Sequence, residues 1–114
     1  MANKTFLFLA VSSLLWACSG RIPEPTQPLA DAESASRSAR EVGANAQPDA
    51  KLHAKLADEQ IAKAKALIED GDNERATYLV RRARADAELS LALAREQNAL
   101  AAKQKAVEQA QSTP

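Results

Sequence analysis

From Leu29 onward the apolar residues recur at steps of three and four, the spacing that gathers side chains on one face of a helix. Ala32, Ala35, Ala39, Val42 and Ala46 form a first seam. Ala50, Ala54, Ala57, Ile61, Ala64 and Ile68 form a second, and Ala76, Val80, Ala83 and Ala87 a third. The breaks are equally legible. Gly43 to Gln47 loosens the first run, and Pro48 suits the first turn of a new helix, where its missing N–H costs nothing. Gly71 can take the left-handed conformation that ends a helix, and Asp72 can cap the next, with Glu74 adding negative charge in its first turn. The pattern predicts helices over 29–43, 48–70 and 73–111, and a tail at 112–114. At 1.5 Å per residue the third runs about 58 Å against about 35 Å for the second, so it outruns its partners. Past Leu89 its seam fades. Leu93, Leu100 and Val107 recur every seven residues with Gln97 and Gln104 between them, which reads as either a fraying tail or a partner-binding surface.

The start of the chain follows another pattern. Lys4 precedes an almost purely apolar stretch from Phe6 to Leu15, and Ala17 is a small residue of the kind export peptidases accept. The stretch is shorter than the roughly 20 apolar residues a membrane-spanning helix needs. Residues 1–17 therefore read as a signal peptide. The segment Leu15-Trp16-Ala17-Cys18 resembles the bacterial lipobox, with Trp16 standing where smaller residues are usual. The resemblance implies cleavage between Ala17 and Cys18, a diacylglycerol on the Cys18 thiol and a fatty acyl chain on its amine, the only covalent group expected. Two or more chains hold a protein firmly at a membrane, whereas one does so marginally. Ser19, in place of an aspartate, implies the periplasmic face of the outer membrane. The alternatives are an ordinary cleaved signal with an incidental cysteine, or an uncleaved anchor. Pro23, Pro25 and Pro28 then favour extended backbone, so 18–28 reads as a tether of about 30 Å.

Composition narrows the picture. Of the aromatic residues Phe6, Phe8, Trp16 and Tyr78, only Tyr78 follows Cys18. The interior must be aliphatic and dominated by alanine. The 15 basic and 15 acidic residues cancel, and removing Lys4 with the signal leaves 14 against 15. No pull toward nucleic acid follows. The expected class is all-α, an alanine-rich antiparallel three-helix bundle or a helical hairpin with a long third helix. Alanine lets helix axes approach closely but contributes about 0.8 kcal/mol per buried methyl group, against about 1.5 to 3 for a leucine. Modest monomer stability or self-association is expected. Leu52 and Leu56, one turn apart and off the second seam, need cover from the first helix or from a partner.

Candidate chemistry is sparse. His53 is the only histidine and lacks partners for a zinc site, so it reads as a seam-edge or solvated side chain. Glu69, Asp70 and Asp72 cluster at a turn, where service to helix ends accounts for them. Arg75, Arg81, Arg82 and Arg84 form the densest basic stretch, suited to lipid head groups, peptidoglycan carboxylates or a protein partner; a solvated helix face is the simpler account. No phosphate loop, nucleophile elbow or metal-ligand motif occurs, and no enzyme is expected.

The stretch from Leu29 to Leu93 resembles the short envelope domain known as domain of unknown function 4398. The matching residues are the alanine-spaced first helix, Pro48, Leu56-Ala57, Ile61-Ala62, Ala64 and Ala66-Leu67. They continue with Gly71-Asp72-Asn73-Glu74-Arg75-Ala76 and Ala83-Arg84-Ala85-Asp86-Ala87-Glu88-Leu89. The resemblance implies an envelope lipoprotein and carries no activity. The expected function is an anchored structural or adaptor protein working through helix contacts, whether with itself or with an envelope protein, through the third helix at Leu93, Leu100 and Val107. The rival is noncovalent peptidoglycan binding through Arg75, Arg81, Arg82 and Arg84.

Overall fold

The computed structural model describes residues 20–112, an all-α three-helix bundle with no strand among them. Helix α1 spans Thr26–Glu41, α2 Pro48–Glu69 and α3 Asn73–Ser112, with a single 3-10 turn at Ala44–Ala46 between α1 and α2. The short connections make successive helices antiparallel. The third helix packs along both others, which touch each other less. None of the described helices is long and apolar enough to cross a membrane.

The helix ends form where turn chemistry puts them. Gly43 has φ 95° and donates its N–H to the Arg40 carbonyl at 3.0 Å, closing α1. Pro48 opens α2 at its first turn with Asp49 beside it. At the far end Gly71 takes φ 79°. Its N–H reaches the Ile68 carbonyl at 2.9 Å while the Asp72 N–H reaches Leu67 at 2.8 Å, the paired bonds of a Schellman stop. Asp72 then caps α3, its Oδ1 accepting the Arg75 N–H at 3.1 Å.

The entry to α1 differs from expectation. The helix begins at Thr26 rather than 29, so Pro28 lies inside its first turn and the extended segment is shorter than 18–28. A proline there removes only an N–H that has no intrahelical acceptor. Pro25 is buried, and its carbonyl accepts the Leu29 N–H at 3.0 Å. The helix also stops at Glu41, two residues short of the expected end.

The three seams face inward except at Ala46, which lies beyond α1 in the 3-10 turn. Ala32 and Ala39 of α1, Ala50, Ala54, Ala57, Ile61 and Ala64 of α2, and Ala76, Val80, Ala83 and Ala87 of α3 are buried. Ala35, Val42 and Ile68 are half-buried, and Ala46 is exposed. The third seam does not end near Leu89 as its apolar pattern suggested. Ser90 and Ala94, both fully buried, extend the same spacing. Ser36 is likewise buried in α1, one residue beyond half-buried Ala35. Leu93 packs with Val42 and Leu91 against the cluster of Ala39, Ala44, Ala50 and Ala94, so it is tied to the bundle. From Arg95 to Ser112 every residue is exposed. The third helix thus overhangs by about 27 Å. No helix covers Leu52, which remains 54% exposed.

Two stability predictions follow from this packing. Ala83→Leu forces extra carbons into a fully buried seam and should cost about 1 to 3 kcal/mol, whereas Ala101→Leu on the overhang should change the urea midpoint little. Gly71→Ala meets no neighbouring atom within 4 Å, so its expected loss of about 1 to 2 kcal/mol is left-handed backbone strain alone. An unchanged midpoint for Gly71→Ala would remove that turn from the account.

Candidate interaction surfaces

Polar groups join the helices where the alanine seams bring them close. Ser90 Oγ donates to the Ala50 carbonyl at 2.7 Å, tying α3 to the first turn of α2. Ser36 Oγ donates to Asp58 at 2.6 Å, and Arg40 reaches the other oxygen of that carboxylate at 2.5 Å. His53 Nδ1 lies 2.9 Å from Asp86 Oδ1, and Gln60 Nε2 donates to Asp86 Oδ2 at 2.7 Å. His53 is thus a seam-edge residue with a partner. His53 and Gln60 stand seven apart on one flank of α2, so a single carboxylate on α3 can meet both. These contacts hold helices together. Among the described residues no group of three His, Cys, Asp or Glu side chains is placed to hold a metal ion.

The four arginines do not gather on one face. Arg75 and Arg82 lie seven apart on one flank of α3, while Arg81 and Arg84, three apart, share another. Arg75 pairs with Asp72 at 3.3 Å, and Arg82 sits 5.9 Å from the Tyr78 ring centroid. Arg84 turns toward α1, 2.7 Å from Glu88 and 3.7 Å from Asp31. The hydrogen bond and charge of Glu88, with Asp31 adding less, raise the Arg84 pKa above its ordinary value. Closeness in sequence had suggested one basic patch, but helical rotation distributes it and acidic neighbours neutralise part. The groove between α1 and α2 shows the same pairing, with Arg40 on Asp58 and Lys65 on Glu33.

The two ends of the bundle differ. Asn73 Nδ2 donates to the Ile22 carbonyl at 3.0 Å, and Arg21 and Ile22 lie beside Gly71 to Glu74. The chain therefore enters the bundle at the α2–α3 turn. Ala17 and Cys18, the expected cleavage and lipidation positions, lie outside the described residues. From the turn α1 runs to the opposite end, α2 returns, and α3 runs out again past α1 and α2. Asn98 Nδ2 holds the base of the overhang to the Val42 carbonyl at 2.9 Å. Beyond it stand Leu100 and Val107, 52% and 47% exposed. Of the three expected contact residues Leu93, Leu100 and Val107, the structure keeps the last two free and half-buries the first.

Periodicity and motif spacing do not mark Asn73, Asp86 or Gln60 as contact residues. The seven-residue spacing of His53 and Gln60 was a usable signal for the last two; nothing local marked Asn73 as a clasp on a segment fifty-one positions earlier in the chain. Comparison with family models, with curated proteins and with solved structures finds no match for this chain.

Asp86→Ala should lower stability by about 1 to 3 kcal/mol, because it leaves His53 and Gln60 facing a part-buried site without their shared acceptor. Asp58→Ala, whose carboxylate is more exposed, should cost less. Denaturant midpoints of the two variants compared with the parent test the ranking; the reverse order would contradict it.

Proposed function

We propose that this protein is an outer-membrane lipoprotein, anchored through Cys18, that acts as a structural or adaptor element of the bacterial cell envelope by helix-to-helix contact. The observation that carries the reading is the polarity of the bundle. The chain enters at the Gly71 turn, where Asn73 grips Ile22, and the unaccompanied stretch of α3 leaves from the other end. A lipid at Cys18 would then set the turn end at the membrane and aim Leu100 and Val107 into the periplasm. The shortened tether fits this arrangement, since a bundle held close to the acyl chains has a defined direction. The resemblance to domain of unknown function 4398 belongs to the same reading.

Noncovalent peptidoglycan binding through Arg75, Arg81, Arg82 and Arg84 has less support, because the four divide between two flanks and three of them already have partners.

The chain isolated from bacterial membranes should carry an N-terminal peptide beginning at Cys18, heavier by a diacylglyceryl group and an acyl chain. Cys18→Ala should move the protein from the membrane to the soluble fraction. An intact Met1, or a free Cys18 thiol on a cleaved chain, refutes the anchoring. Retention on purified cell-wall sacculi that is lost on replacing the four arginines would favour the rival.

A further inference from the structure

The overhang of α3 carries a second seam. Leu93 at the top of the bundle and then Gln97, Leu100, Gln104, Val107 and Gln111 on the overhang follow one another at steps of 4, 3, 4, 3 and 4, the same spacing as the buried seams; Leu93 and Gln97 stand beside Gln47 to Ala50 at the start of α2, and the positions beyond them are uncovered. None of the three glutamines is buried, and Leu100 and Val107 face solvent. Leu89, one turn below Leu93, is 43% exposed, so the apolar stripe runs on down the bundle. A leucine-type residue at every second layer with an amide at the others is a coiled-coil seam lacking its second strand.

We infer that the missing strand is the overhang of a second copy of this chain, paired in parallel and in register. The inference rests on the anchoring reading for its orientation, and three features identify the occupant. An amide at a seam layer is costly unless a group at the same height both donates and accepts. A second copy in register places Gln97, Gln104 and Gln111 opposite themselves, which meets that condition at each layer. The flanks agree in charge. With Leu100 and Val107 as the apolar layers, Lys103 lies on one flank and Glu108 on the other, five residues on. In a parallel pair each Lys103 meets Glu108 of the other copy, twice by symmetry. Lys103 has no ion-pair partner among the described residues, and the flanking Ala101 leaves room for close approach.

The third feature is direction. Every copy enters its bundle at the Gly71 turn, so copies anchored in one membrane project their overhangs the same way and to the same height. Confinement to a surface raises the effective concentration of one seam near another. A pairing of about three heptads with polar alternate layers is weak in free solution and sufficient there.

The test is oxidative crosslinking of the full chain in bacterial membranes, using cysteine variants. Leu100→Cys and Gln111→Cys should each give a disulfide-linked species at twice the chain mass, and Ala102→Cys, on the opposite side of α3, should give several-fold less. Lys103→Glu in the Leu100→Cys background should reduce the dimer several-fold, and adding Glu108→Lys should restore it. None of these positions touches the bundle, so loss of folding does not confuse the result. Absence of the dimer, equal crosslinking from Ala102→Cys, or failure of the double charge reversal to rescue overturns the proposal. A dimer from Leu100→Cys without one from Gln111→Cys overturns it too, because antiparallel strands meet near Leu100 and part at Gln111. The mass of the N-terminal peptide from the same samples reports separately on the anchoring.

Discussion

Close approach of helices across alanine governs the rest of this molecule. Among the described residues eleven of the thirteen buried apolar side chains are alanines, the other two being Ile61 and Val80, and Val80 is the largest fully buried side chain. A methyl group fixes where two axes cross while contributing little burial energy. What the seams lack in hydrophobic energy is supplemented by polar contacts that only such proximity permits. Ser90 reaches a backbone carbonyl on α2, which a bulkier seam would hold out of range. Ser36 can occupy the first seam because its hydroxyl is scarcely larger than a methyl group and finds Asp58 across the interface.

That substitution explains what was legible in the sequence and what was not. The three helices, the Gly71 stop and the Asp72 cap follow from local rules, since periodicity and turn chemistry act over a few residues. Ser36, Gln60 and Ser90 escape an apolar count because they enter the interior as polar residues whose partners lie 22, 26 and 40 positions away. The entry of α1 misleads for another reason. Three prolines in six positions suggest extended chain, yet Pro25 and Pro28 sit where the first turn has no use for an N–H. The arginine stretch misleads because neighbours in sequence point a third of a turn apart on a helix. For the candidate surfaces, the seven-residue repeat of Leu93, Leu100 and Val107 was visible, but its division between bundle and overhang depends on where α2 begins.

A helix that leaves its bundle must persist without tertiary contacts. The overhang meets this demand through composition and attachment. Alanine, glutamine, lysine and glutamate are strong helix formers, and Gln104 donates to Glu108 one turn on at 3.2 Å. Because α3 is already wound against α1 and α2, each added residue extends an existing helix and the cost of nucleation does not recur.

This continuity bears on what the stripe can do. A disordered tail would have to order its backbone on meeting a partner, at a cost that erodes the small gain from a few leucine-sized contacts. A stripe displayed on a helix already formed meets its partner without that cost, so a short and partly polar seam can still bind usefully. The glutamines have a complementary effect, because they keep the uncovered helix soluble while discouraging apolar partners that cannot match them. Weak attraction and strict register are thus two results of the same residues. They suit a contact made where concentration is already high, at a surface, and made reluctantly elsewhere.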